Sequence, residues 1–200
     1  MADTIHFKIR RQNRPDTDPY WEEFKIPDRG SHNGGSAVMV RRETPVTADG
    51  AKVEPVAWEG NCMEEVCGAC TMLINGKPMQ SCSTLVDSLT QPIVLEPISK
   101  FPVVRDLMVD RSAMFDALRK VKAWIDIDGG FDIHRGSPRI SPEEWEDSYP
   151  FATCMTCGCC TEACPNYGPE RTFVGPAALG QVKLMNGHPT GRYNRADRLH

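Results

Sequence analysis

All nine cysteines of this 200-residue chain fall into two short groups, and no other feature constrains the fold as strongly. Cys62, Cys67, Cys70 and Cys82 form the first group; Cys154, Cys157, Cys159, Cys160 and Cys164 form the second. The count is odd, and residues 1–6 lack the apolar core of an export signal, so a cytoplasmic chain is expected and a disulfide framework is the weaker reading. Thiols at such short spacing in a reducing compartment point to metal or iron–sulfur chemistry. The rest of the composition is that of an ordinary folded protein: 40% apolar and 25% charged residues suffice for a core. No run approaches the eighteen apolar residues of a membrane span. The net charge of −4 argues against nucleic acid as a partner.

Cys62-x4-Cys67-x2-Cys70-x11-Cys82 has plant-type 2Fe–2S spacing. Two irons need four thiolates converging on one small rhomb. A tight loop supplies three, and a neighbouring strand supplies the fourth. Gly68 is expected to let the backbone approach the sulfides, so that amide N–H groups point at sulfur. Asn75-Gly76 signals a hairpin that returns Cys82 to the loop. The competing reading is a four-cysteine zinc site, but zinc sites ordinarily use two CxxC pairs and only one is present in this group. Glu64 and Glu65 either lower the cluster's potential or form a solvated loop face.

Cys154-x2-Cys157-x2-Cys160-x3-Cys164-Pro165 is the bacterial ferredoxin run. Three thiolates wrap three corners of a 4Fe–4S cube, and the fourth cysteine serves a neighbouring cluster. Cys159 is the spare, read as a small buried residue beside the cluster or as an alternative ligand. The ligand count falls short, because no cysteine follows Cys164. His188 is a conceivable substitute, though a histidine there is more often a surface residue.

The hydrophobic pattern predicts a β-rich first half. Ile5, Phe7 and Ile9 alternate with polar residues; Trp21, Phe24 and Ile26 mark a second strand, residues 71–80 a hairpin and residues 93–95 a last strand. Residues 36–42 are an ambiguous apolar segment. A boundary is expected near residues 97–102. Beyond it the pattern predicts a helix over 106–124, with Leu107, Met108, Met114, Phe115, Leu118 and Val121 on one face, and a surface loop over 127–140. Ser141-Pro142-Glu143-Glu144 is a capping box, and a last helix is expected over 175–186. Arg10, Arg11 and Arg14 read as a small solvated basic patch. His6, His32, His134 and His200 read as surface residues. No nucleophile–base pattern is present.

Both cysteine groups, Pro55-Val56-Ala57-Trp58, Ile74-Asn75-Gly76, Lys122-Ala123-Trp124-Ile125 and residues 173–190 together resemble the iron–sulfur subunit of succinate dehydrogenase and fumarate reductase, most closely the menaquinone-linked type. The resemblance covers nearly the whole chain. It implies an α+β fold: an N-terminal β-grasp 2Fe–2S ferredoxin domain over 1–101 and a C-terminal α-helical bacterial ferredoxin-like domain over 102–200. It further implies that Cys62, Cys67, Cys70 and Cys82 bind the 2Fe–2S cluster, that Cys154, Cys157 and Cys160 bind the 4Fe–4S cluster, and that Cys164 binds the 3Fe–4S cluster.

The implied partners are a FAD-containing flavoprotein subunit that oxidises succinate, a cytochrome b-type membrane anchor and a quinone. The implied location is the cytoplasmic face of the membrane, held there by those partners. The family carries a further cysteine segment with the missing ligands, so the sequence reads as a fragment. Ubiquinone-linked relatives carry a tryptophan pair after the Cys-Pro. Here the run is Pro165-Asn166-Tyr167-Gly168, which favours menaquinone and leaves Pro165 as a candidate quinone contact. The alternatives are the wire of a fumarate reductase or other flavoprotein dehydrogenase and, more distantly, a non-redox zinc module.

Overall fold

The computed structural model describes residues 4–28, 30, 33–35, 38, 45–126, 134, 136 and 139–198. The chain divides into two compact units. The first comprises Met1–Arg111 together with Cys157–Ala163; the second comprises Ser112–Thr156 and Cys164–His200.

The first unit is built on a five-stranded mixed sheet. Its strands are β1 (Thr4–Arg11), β2 (Tyr20–Pro27), β3 (Thr71–Ile74), β4 (Lys77–Gln80) and β5 (Ile93–Glu96), in the order β2-β1-β5-β3-β4. β1 and β5 are parallel; the other pairs are antiparallel. The alternation in β1 buries Ile5, Phe7 and Ile9 on one face, and the register sets Phe7 opposite Phe24 and Ile5 opposite Ile26. These residues join Met72, Ile74, Ile93 and Leu95 in one core. Trp21 is displaced to the other face, as its odd spacing from Phe24 and Ile26 requires, and is 44% exposed. Asn75 and Gly76 both adopt positive φ, the geometry of the expected tight hairpin turn.

Arg11 corrects the basic-patch reading. It shares the parity of Ile5, Phe7 and Ile9, so the same alternation drives it inward, where it is fully buried. Its Nε donates to Asp106 Oδ1 at 2.9 Å, its NH2 donates to the carbonyls of Glu54 and Pro55, and NH1 pairs with Glu22. Asp106 also accepts from the N–H of Gln12 and of Ala57.

That network also overturns the helix expected from residue 106. Asp106 lies at φ +49 between β6 (Val103–Arg105) and β7 (Met108–Val109), an antiparallel pair. Leu107 packs into the core of the first unit instead. The helix, α1, covers Ser112–Lys120. Met114 and Val121 are buried as expected, whereas Phe115 is 53% exposed.

In the second unit, α2 (Pro142–Ala152) starts at the predicted capping box: Ser141 Oγ accepts from Glu144 N, and the Glu144 carboxylate accepts from Ser141 N. A last long helix, here α4 (Pro176–Gly187), follows Gly175 at φ +94. Ala178 and Val182 of α4 pack with Ala117 and Val121. Buried Arg198 donates to the carbonyls of Lys122, Trp124 and Gly191 and ties the end of the described chain to this core. His188 is exposed, as expected of a surface histidine; its backbone N–H caps α4 on Leu184 O, and its Nδ1 accepts from the N–H of Thr190 and Gly191. His134, Gly136, Arg139 and Ile140 are exposed, as a surface loop requires. The rest of residues 127–138, most of 36–42, His32 and His200 lie outside the described residues.

Candidate functional site

Residues 62–70 form a loop curled by its own backbone. Met63 and Glu65 take positive φ without being glycine, and Gly68 does so at +71. Such φ values are unusual for side-chain-bearing residues and mark a conformation held for a reason. Here the curl turns successive amides inward. Cys62 Sγ accepts from Val66 N and Cys67 N, both at 3.3 Å, and from Glu64 N at 3.5 Å; Cys67 Sγ accepts from Ala69 N at 3.5 Å. The N–H groups of Glu64 and Val66 lead in pulling the Cys62 thiol down to about 7, which favours its thiolate. A loop of N–H groups aimed at sulfur is the donor environment an electron-rich cluster needs.

Cys70 and Cys82 are buried below that loop. The β3–β4 hairpin brings them together: Ser81 N donates to Cys70 O at 3.2 Å. Burial and a hydrogen bond with Cys70 push the Cys82 thiol up to about 11, while the N–H of Glu65 opposes that rise and the charge of Cys62 adds to it. Cys62 is thus linked to Cys67, and Cys82 to both Cys70 and Cys62. Four thiols, two backed by loop amides and two shielded from water, fit an iron–sulfur cluster by donor chemistry. Glu64 and Glu65 are exposed, the solvated-face alternative of the two readings.

Gly68 is also the point of closest approach to the second cysteine run. A Cβ there would lie 2.6 Å from Cys157 Cα and 2.7 Å from Cys157 Cβ. The glycine makes room for the second cysteine run, which touches the first loop backbone to backbone within this unit. Residues 157–163 belong to the first unit, and their short helix α3 (Cys159–Ala163) is held by Glu162. That buried carboxylate accepts from Ser99 N at 2.9 Å, Ser99 Oγ at 2.6 Å and Lys100 N at 3.1 Å.

Cys159, the spare, is half-buried and hydrogen-bonds Cys157. This bond holds the Cys157 thiol low and pushes the Cys159 thiol up. It is a neighbour that stabilises the Cys157 thiolate. Cys154 and Cys160 are exposed and Cys164 is intermediate; Cys154 and Cys164 belong to the second unit, and Pro165 beside Cys164 is exposed.

Sequence reasoning missed Arg111. Its guanidinium is 15% exposed, lies 3.9 Å from Glu59, and donates to the carbonyls of Gly68 at 2.7 Å, Ala69 at 2.6 Å and Cys157 at 3.4 Å. No motif announces it, because the contact spans more than forty residues of chain.

A 2Fe-2S iron-sulfur cluster binding domain family matches residues 6–116. The succinate dehydrogenase iron-sulfur subunit of Bacillus subtilis (strain 168) is 55% identical over 196 residues, which cover 98% of this chain and 77% of that subunit. The fumarate reductase iron-sulfur subunit of Mycobacterium tuberculosis (strain CDC 1551 / Oshkosh) is 36% identical over 147 residues, 72% of this chain and 60% of that subunit. Among solved structures, the Mycobacterium smegmatis Sdh1 complex in the apo form contains a chain that superposes with a TM-score of 0.76 at 21% identity, covering 95% of this chain and 77% of that one.

Proposed function

The chain belongs to the succinate dehydrogenase and fumarate reductase family of iron–sulfur subunits, and from that premise we propose that it carries electrons from a flavoprotein subunit oxidising succinate to a membrane quinone. Similarity to a succinate dehydrogenase subunit at 55%, against 36% for a fumarate reductase subunit, supports the succinate-oxidising direction. The mixed five-stranded sheet supports a β-grasp reading of the N-terminal region. Cys62, Cys67, Cys70 and Cys82 hold a 2Fe–2S cluster. Cys154, Cys157 and Cys160 hold three corners of a 4Fe–4S cluster, and Cys164 contributes to a 3Fe–4S cluster. When bound, these groups supply one-electron carriers.

The protein's own part is to set their surroundings. The amides of Glu64, Val66, Cys67 and Ala69 donate to ligand sulfur, and burial of Cys70 and Cys82 keeps water away. The partners are a FAD-containing flavoprotein and a cytochrome b-type anchor, with menaquinone as the acceptor and Pro165 at its pocket. No described helix is long and apolar enough to cross a membrane. Attachment at the cytoplasmic face is assigned to the anchor on family resemblance.

The observation that carries this reading is the loop of N–H groups aimed at Cys62 and Cys67. It is tested on the complex isolated from membranes without oxygen. A brown preparation with acid-labile sulfide and a reducible 2Fe–2S electron-spin signal, lost in Cys62→Ala, is expected. A colourless, zinc-loaded, iron-free preparation would overturn it in favour of a structural zinc module.

A further inference from the structure

The Gly68–Ala69 peptide has donors on its carbonyl side and a ligand sulfur on its amide side. Its carbonyl oxygen accepts from Arg111 NH1 at 2.7 Å and from the buried Thr71 Oγ1 at 3.0 Å. Its N–H, carried by Ala69, donates to Cys67 Sγ at 3.5 Å. The next carbonyl, Ala69 O, accepts from Arg111 NH2 at 2.6 Å. Hydrogen bonds in series polarise one another, and a charged donor at one end does so most strongly.

The guanidinium is set off by Glu59 only at 3.9 Å, and that carboxylate is 42% exposed. Water therefore screens the anion more than it screens the nearly buried cation. Arg111 keeps its charge at any working pH.

On the reading that Cys67 is a 2Fe–2S ligand, we infer that Arg111 is the residue that sets this cluster's potential. It draws electron density through the Gly68–Ala69 peptide, so that the Ala69 N–H stabilises the added electron on Cys67 sulfur. Arg111 touches no ligand atom; it is a positioning residue acting through one peptide group. Thr71 reinforces it at the same oxygen. The third guanidinium contact, to Cys157 O at 3.4 Å, extends the clamp to the second cysteine run.

The test is a redox titration of the intact complex, following the 2Fe–2S electron-spin signal in wild type, Arg111→Gln, Arg111→Lys and Thr71→Val. Arg111→Gln is expected to disfavour reduction at least tenfold, a downward shift of 59 mV for a one-electron couple. Arg111→Lys keeps the charge but loses the fork and should fall between wild type and Arg111→Gln. Thr71→Val removes one donor at nearly constant shape and should shift the potential down by less. Wild-type potential in Arg111→Gln overturns the inference. Should that variant not assemble, wild-type potential in both Arg111→Lys and Thr71→Val overturns it. Absence of any 2Fe–2S signal in the wild-type complex would instead overturn the cluster assignment, which separates the two failures.

Discussion

In the 62–70 loop, the donors that reach Cys62 and Cys67 sulfur are backbone amides of the loop itself. In the 154–164 run, the Cys157 thiol is held low first by the Cys159 side chain, then by the amides of Cys159 and Cys157, and last by Thr71 from β3. The stretch that follows is fastened to Ser99 and Lys100 through Glu162. The run is also divided, with residues 157–163 in the first unit and Cys154 and Cys164 in the second. A loop of nine residues carries its own donors to sulfur. The run also supplies most of the donors to its own Cys157 thiol, but its helix is anchored from outside at Ser99 and Lys100, so its placement depends on tertiary structure.

The sharpest way to break this contrast is Gly68→Ala, at the contact where loop and run meet. A non-glycine residue at φ +71 costs about 1–3 kcal/mol, and the added methyl would meet the Cys157 backbone at 2.6 Å. Iron and sulfide retained by the purified protein should drop to background, although all nine cysteines remain. A fully loaded variant would mean that the first loop assembles without regard to residue 157.

The frame behind the loop is tested by Arg11→Met. Breaking a buried ion pair on one side costs about 3–5 kcal/mol, because Asp106 is left charged without its partner. The guanidinium chloride midpoint of the first unit should fall accordingly. An unchanged midpoint would mean that the Gln12 and Ala57 amides suffice for Asp106.

A smaller loss is expected from Glu162→Gln. The amide oxygen still accepts from Ser99 without the charge, but an NH2 replaces the oxygen that accepts from Lys100 N and that bond is lost, at about 1–3 kcal/mol. Amide hydrogen exchange should quicken at residues 99–100 and 159–163 and remain as in wild type at residues 62–67. Equal acceleration in both would erase the distinction between the two regions.

The gentlest test changes no residue. In cluster-free, reduced protein, Cys62 is a thiolate above about pH 7 and Cys82 only above about pH 11. The alkylation rate at Cys62 should therefore reach its plateau just above neutrality and fall as pH drops through 7, while Cys82 stays unreactive through pH 9. Mass spectrometry of the labelled peptides reads both. Coincident profiles would mean that the loop amides do not hold the apo site ready.

Local physics made much of this legible in the residues. Spacing alone singled out four thiols as a candidate site, because a small cluster requires ligands at fixed short intervals. Period-2 burial identified β1, and Asn75-Gly76 identified the turn that returns Cys82, since few residues accept that backbone. Ser141 and Glu144 identified a helix start because both hydrogen bonds of the box are local.

Other features were decided only when distant segments met. The apolar residues at 107 and 108 fit a helical period, yet Asp106 is claimed by Arg11, Gln12 and Ala57, and the segment becomes a hairpin. Arg11 looked like surface charge until its partner, 95 residues away, entered the same core. Arg111 and the approach of Cys157 to Gly68 were equally out of reach. Periodicity and ligand spacing are written in adjacent residues, whereas a buried charge and a glycine contact acquire meaning only from the partner that the fold brings to them.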